Sequence, residues 1–380
     1  MKVSLVSSFP FPDGKATANR ISAFADELLR SSVVDSVEVF CCSSYSSESY
    51  LLGSSFRVTN LRNHPIDKNK LFSRALSELS MSFRLWQKVR MSDLDYVVVT
   101  VPSMLLLVPL VLTPRKFRVA LDLRDAVWTY FGNGFSHRLV GKVLVALFKL
   151  AAKRSDIISV TNTEEFEEIK KVVGMSPLLV PNGISEIKLN EMRSLKWPSP
   201  TGISRLTYIG NVGIAQELDQ LIDFSRDIPN LLITIVGDGA KLTALKQKCS
   251  SEHINNVAFH GLVPAESVKN YIESADILFA QIGANYSTAV PTKVFEYIAS
   301  GRKVMLGLPD GPARKIFSKF RGVEIFEVGN QGCFLETYSR LLGIVVTQEC
   351  KQHNLSLLRA EYLREKSAKI LVQAIENSCI

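Results

Sequence analysis

The sequence predicts an α/β protein of two doubly wound, Rossmann-like domains facing across a cleft. Three observations carry that prediction. Short, near-continuous apolar runs alternate with helical patterns, as in parallel sheets covered on both faces. A polar stretch broken by two prolines, 185–204, interrupts the alternation, which then restarts. At 380 residues the chain is also too long for one ordinary domain.

The first domain is expected over 1–184, with strands at 2–8, 38–45, 96–102, 117–125, 157–162 and 177–183. Helical patterns at 16–31, 69–92, 137–155 and 163–174 lie between them. After a linker at 185–204, the second domain is expected over 205–356. Its strands fall at 205–213, 230–239, 256–263, 275–283, 302–309 and 322–329. A final helical stretch, 357–380, is expected to pack back on the first domain. Ligands of such sheets bind beyond the carboxyl ends of the strands.

Composition narrows the class. Apolar residues at 46% and charged residues at 22% are ordinary for a soluble globular protein. The six cysteines and five histidines show no metal-ligand spacing, so reduced thiols and a cytoplasmic location are expected. The start, MKVSLVSSFPFPDG, has too short an apolar run for a signal peptide. MLLLVPLVL at 104–112 is about half a membrane span. The net charge of +8 suits an anionic partner: nucleic acid, an acidic membrane surface or a phosphorylated substrate. No aromatic-basic motif supports nucleic acid, and none is expected as a partner.

The most informative stretch is AVPTKVFEYIASGRKVM, 289–305. Pro291 suits a first helical turn, Thr292 an N-cap, and Gly301 a helix end. A helix N-terminus offers unpaired N–H groups and positive charge to an anion, which Lys293 reinforces. Glu296, one turn in, does not fit an anion site unless it faces another part of the ligand. A nucleoside diphosphate has both parts: phosphates for the N–H groups and Lys293, ribose hydroxyls for Glu296.

Glycine loops stand elsewhere between a strand and a helix. GNVG places Gly210 and Gly213 where backbone N–H groups can approach a phosphate; taken alone, it reads more simply as a tight strand-to-helix turn. Gly237-Asp238-Gly239 repeats the design but lacks the third glycine of a dinucleotide fingerprint. SSFPFPDGKATANRIS offers Gly14, Lys15 and Arg20 to a diphosphate, or is a plain turn. RVALDLRDAVW ends a strand with Asp122, Arg124 and Asp125, charges better placed for a cleft than for a core. Asp125 can orient or deprotonate an acceptor hydroxyl; an Arg124–Asp125 structural network is the alternative. His260 beside Gly261 reads more simply as structural.

In order and spacing, YIGNVGIAQELD, IVGDG, NVAFHGLVP, SADILFAQI and PTKVFEYIASGRKVM, with VPNGI before the linker, resemble nucleotide-sugar glycosyltransferases of the GT-B fold, in particular glycosyltransferase family 4. The resemblance spans nearly the whole chain. It implies a retaining, metal-independent hexosyltransferase with no cofactor. Glu296 matches the second glutamate of the family's Glu-x7-Glu motif and would bind ribose. The first glutamate falls at Thr288. Family arginine and lysine positions hold Asn211 and Gln216, so Lys293 is the expected replacement on the leaving diphosphate. Donor contacts are expected at Gly14, Lys15, Gly210, Asn211, Gly213, Gln216, Gly237, Tyr286, Ser287, Thr288, Thr292 and Glu296, and catalytic roles at Asp125 and Lys293. No metal site is expected.

The GN-x-G-x-AQ and P-[ST]-K-x-[FL]-E-Y patterns are similar to transferases of N-acetylated aminosugars in surface-polysaccharide assembly, such as O-antigen or capsule. This implies a UDP-sugar donor and a glycan or polyprenyl-diphosphate-linked acceptor. Two basic amphipathic patterns, at 69–90 and 137–154, suit peripheral docking on an anionic membrane or simply cover a sheet. The rivals are a UDP-aminosugar epimerase and a catalytically silent GT-B subunit that binds nucleotide or a partner. The silent reading draws on the changed residues 211, 216 and 288.

Overall fold

A computed structural model describes residues 1–12, 16–43, 48–51, 53–62, 71–101, 103–130, 135–196 and 202–379. The chain divides into two compact units. One is Met1–Asn182 with Arg364–Ile380; the other is Gly183–Leu363.

The first unit is built on an eight-stranded sheet. Its strands are β1 (Lys2–Val6), β2 (Ser36–Ser43), β3 (Glu48–Leu51), β4 (Phe56–Arg62), β5 (Tyr96–Val101), β6 (Arg118–Leu123), β7 (Ile157–Val160) and β8 (Leu178–Leu179). They lie in the order β3-β4-β2-β1-β5-β6-β7-β8, parallel except for the β3–β4 pair. All of β5, Tyr-Val-Val-Val-Thr-Val, is buried, as a central strand covered on both faces must be. Helices α1 (Ala16–Arg30), α2 (Leu71–Met91), α3 (Leu107–Leu112), α4 (Phe135–Ala152) and α5 (Thr163–Val173) connect the strands. One core lies under α2, α3 and α4, the other under α1 and the chain's last helix. Capping sets the limits of α5: the Asn162 side chain accepts from the Glu165 N–H, and Gly174 ends the helix at φ 77°.

The second unit holds α6 (Glu186–Arg193) and a six-stranded parallel sheet. Its strands are β9 (Ser204–Ile209), β10 (Leu231–Val236), β11 (Val257–Gly261), β12 (Ile277–Gln281), β13 (Lys303–Leu308) and β14 (Val323–Glu327), in the order β11-β10-β9-β12-β13-β14. Helices α7 (Leu218–Ser225), α8 (Leu242–Ser251), α9 (Val268–Ser274), α10 (Lys293–Ser300), α11 (Pro312–Phe317), α12 (Gln331–Gly343) and α13 (Gln348–Glu361) cover both faces. The final helix, α14 (Arg364–Cys379), returns to the first unit and packs on α1. In each sheet the chain starts in the middle and builds outward both ways. The switch points fall between β1 and β5 and between β9 and β12, where doubly wound sheets place ligands.

One expectation needs correcting, and one pair of strands was missed. The segment 185–204 is not linker throughout: Ser185 caps α6, which buries Leu189 and Met192. Two apolar residues three apart suffice for a short helix, and the polar composition hides them. The hairpin β3–β4 was not foreseen, because β4, Phe-Arg-Val-Thr-Asn-Leu-Arg, mixes polar and charged residues among its apolar ones and lacks a continuous apolar run. MLLLVPLVL forms a 3-10 turn and α3, with Leu106, Leu107 and Leu110 fully buried. No described helix is long and apolar enough to cross a membrane.

Candidate functional site

The second unit brings most of the sequence-predicted residues to the carboxyl ends of β9, β10 and β12. Two glycine loops meet there. Gly210 N–H donates to the Val236 carbonyl at 2.9 Å, Val212 N–H to Asp238 at 2.9 Å, and Lys241 N–H to Val212 at 3.0 Å. A Cβ on Gly237 (φ +137°) would stand 1.8 Å from the Gly210 carbonyl oxygen, and one on Gly239 2.3 Å from that of Val212. The glycines at 237 and 239 are therefore required by loop-on-loop contact, without any ligand.

The expectation that the first loop offers its N–H groups freely to phosphate is corrected in the same way. Gly210 and Val212 donate within the protein, and Gly213 N–H donates to Gln216 Oε1 at 3.2 Å. The Asn211 amide also donates to Gln216 Oε1, at 3.3 Å. Among the described residues, Asn211, Ile214 and Ala215 keep N–H groups that no protein acceptor takes.

The loop after β12 joins the first glycine loop through Gly283 N–H, which donates to the Ala215 carbonyl at 2.8 Å. A 3-10 turn at Ala284–Tyr286 follows, and Ser287 and Thr288 lead partly exposed into α10. Gly311 makes room for the Ser287 carbonyl, which a Cβ there would approach to 2.2 Å. Thr292 does not cap α10 with its side chain. The turn already begins at Pro291, whose carbonyl accepts from Val294 N–H, so Thr292 is helical at φ −65° and ψ −26°. A side-chain cap needs extended backbone. Gly301 ends the helix at φ 77°, as the sequence predicts.

On α10, Lys293 Nζ donates to both Glu296 oxygens, at 3.1 and 3.2 Å. Lys293 is 36% exposed and Glu296 11%. A pair of this exposure is worth ~0.2–1 kcal/mol. A diphosphate or ribose hydroxyl making a charge-assisted bond of roughly 1.5–3 kcal/mol therefore displaces it readily. Tyr297, not singled out by sequence, fixes the base of the site. Its buried hydroxyl donates to the Ile209 carbonyl and accepts from Ile209 N–H, both at 3.0 Å, tying α10 to the end of β9. Tyr297 lies in a run, Val294–Ser300, that is buried throughout. His260 is exposed, its ring edge-on to Tyr271 at 5.0 Å.

In the first unit, Gly14 and Lys15 lie outside the described residues. Arg20 and Asp122 are buried and spent on each other. They form a bidentate pair, Nη2 to Oδ1 at 2.6 Å and Nε to Oδ2 at 2.9 Å, with exposures of 4% and 0%. Ser159 Oγ also donates to Asp122, at 2.8 Å. A carboxylate inside the sheet is tolerated because a guanidinium neutralises it. Asp125 is half-buried and accepts from Tyr130 Oη at 3.0 Å. Burial raises its carboxyl above the ordinary range, against the pull of Arg124 and Tyr130. Burial likewise pulls the Arg124 guanidinium below its usual value. Glu165, missed by the sequence reading, is fully enclosed at the start of α5. Burial first, then Asp125, pushes it up to about 8. Its Oε2 accepts from Thr161 N–H at 3.0 Å and Oγ1 at 2.8 Å.

No protein-family model and no curated protein matches the sequence. Solved structures do match in fold. Sucrose-phosphate synthase from Thermosynechococcus elongatus superposes with a TM-score of 0.79 at 14% identity, covering 99% of this chain and 98% of that one. The lipopolysaccharide outer core galactosyltransferase WaaB gives 0.62 at 15% identity, with both chains fully covered. Anabaena HepE in complex with UDP and glucose gives 0.67 at 12% identity, with 99% of each chain covered. At these identities the likeness speaks to architecture: the chain has the GT-B fold.

Proposed function

We propose that the protein is a glycosyltransferase that moves a sugar from a UDP-sugar donor to a glycan or polyprenyl-diphosphate-linked acceptor. The carrying observation is the Lys293–Glu296 pair at the start of α10, beside two interlocked glycine loops at a sheet's switch point. This places a cation, a carboxylate and unspent N–H groups within one unit, the three partners that a nucleoside diphosphate needs. Neighbours of the same fold whose names include a galactosyltransferase and a complex with UDP and glucose support the reading.

In this reading Glu296 accepts from the ribose hydroxyls and Lys293 stabilises charge on the departing diphosphate. Asn211, Gln216 and Gly237 shape the loops around it, and Tyr286, Ser287, Thr288 and Thr292 line its sugar side. The donor's anomeric bond breaks through an oxocarbenium-like state, with electrostatic stabilisation of the leaving group. The transferred sugar is an N-acetylated aminosugar, configuration is retained, no metal takes part, and the product enters a surface polysaccharide. Asp125, whose carboxyl burial makes more basic, orients the acceptor hydroxyl.

One observation favours a second reading, a silent subunit that binds nucleotide or a partner. The Asn211 side chain and Gly213 N–H both donate to Gln216, so these groups, at positions where a diphosphate is expected to bind, are spent within the loop. Calorimetric titration with UDP, GDP, ADP and NAD, with and without magnesium, tests the donor site, and transfer assays on a protein that binds separate the two. Tight UDP binding without metal, lost in Glu296→Ala, supports the donor site and justifies assays with UDP-aminosugars. Absence of any nucleotide binding overturns the transferase reading.

A further inference from the structure

Glu217 closes the first glycine loop in an unusual backbone state. Its φ of 43° and ψ of 45° are left-handed, a region that glycine or asparagine occupies with less strain. Its carboxylate turns toward the end of β12, where a Cβ on Gly283 would stand 2.2 Å from Oε1. Oε2 accepts from Gln220 Nε2 at 2.8 Å, and the Glu217 carbonyl accepts from Gln281 Nε2 at 3.0 Å. The side chain is thus held at the junction that the Gly283–Ala215 hydrogen bond makes between the two loops. Among the described residues no cation pairs with it. Burial, then Asp219, raises its carboxyl above the ordinary range against the Gln220 hydrogen bond.

Strained backbone is retained where something compensates for it. Here a residue that would relieve the strain is absent, and an uncompensated, oriented acceptor is present. Glu296 has Lys293 as its partner; Glu217 has one oxygen fixed by Gln220 and the other against Gly283, which leads into the 3-10 turn at Ala284–Tyr286. We propose that Glu217 is a specificity-determining residue that accepts a hydrogen bond from a hydroxyl of the donor's transferred sugar, while Glu296 and Lys293 hold the nucleotide. The assignment rests on the nucleotide-sugar reading above and adds to it the group that distinguishes one sugar from another. A carboxylate suits this task because it rejects an analogue in which the donating hydroxyl is missing or misplaced.

The test compares the parent with Glu217→Gln and Glu217→Gly. Each is titrated with UDP alone and with UDP-N-acetylglucosamine, UDP-N-acetylgalactosamine and UDP-glucose, and Tm is recorded. The glycine variant relieves the left-handed strain, so its Tm should equal or exceed the parent's. Both variants should bind UDP as the parent does and lose about tenfold or more in affinity for the preferred UDP-sugar. Unchanged sugar affinities, or equal loss of UDP and UDP-sugar, would make Glu217 a residue of loop geometry and overturn the proposal. A parent that binds UDP but gains nothing from any sugar overturns this proposal alone. A parent that binds no nucleotide overturns the donor site as well.

Discussion

Replacing Arg20 by alanine strands the Asp122 carboxylate, which has no exposure of its own. Breaking a buried pair costs roughly 3–5 kcal/mol, so Arg20→Ala should unfold at markedly lower denaturant, read by the urea midpoint. Asp125→Asn should behave differently. It should keep the parent's midpoint and UDP affinity while cutting transfer at least tenfold; equal loss of binding and transfer would place Asp125 with the scaffold. Glu165 gives a pH prediction. Its folded pKa of about 8 lies above the usual 4.5, so the native state holds a proton that the unfolded chain has lost. Its contribution therefore weakens as pH rises from about 4.5 to about 8 and is level above that. Glu165→Gln should remove this slope and raise Tm at pH 8 relative to the parent. Sequence places Asp122 and Asp125 together at the end of one apolar strand. What separates them is Arg20, 102 residues away in sequence, which no local pattern reveals.

At the scale of elements, glycine loops and helix starts were legible, but their purpose was not. Gly237 reads as a phosphate loop; the structure shows it yielding space to the Gly210 carbonyl. Gly237→Ala should thus destabilise the second unit, by about 1–3 kcal/mol for the backbone strain alone. Thermal melts should show the loss whether or not UDP is present. Tyr297→Phe should also lower Tm, because the amide and carbonyl of Ile209 lose their partner at a cost of about 1–3 kcal/mol. Unchanged Tm would mean that water or another group takes over at the end of β9. Short elements escaped the sequence reading for one reason: α6 and β4 bury only a few residues each, too few to form a period.

Both sheets were recognisable because short, near-continuous apolar runs alternate with helical patterns, and the restart after 204 exposed the second one. A final helix over 357–380 packing back on the first domain was expected; the boundary at Arg364 became clear only from packing. At this scale α4 is the feature to test. Leu139, Val143 and Leu150 are 56%, 58% and 50% exposed, along a stripe that also exposes Lys142 and Lys149. Such a surface suits the headgroup region of an anionic bilayer. The protein should float with anionic liposomes at low salt and not with neutral ones, and Leu139→Glu with Val143→Glu should abolish flotation. Failure to float at low salt overturns docking of α4 on a membrane.

The Lys293–Glu296 pair carries a further consequence for how association responds to electrolyte. The molecule as a whole is +8, so attraction of an anionic ligand from a distance is screened as salt is added. At the site itself, however, the lysine charge is already balanced by its own neighbour. Few mobile ions gather there, and few are expelled when a nucleotide arrives. The association rate should therefore fall with ionic strength while the dissociation rate hardly moves. Glu296→Gln should reveal the hidden charge by making the dissociation rate salt-sensitive too.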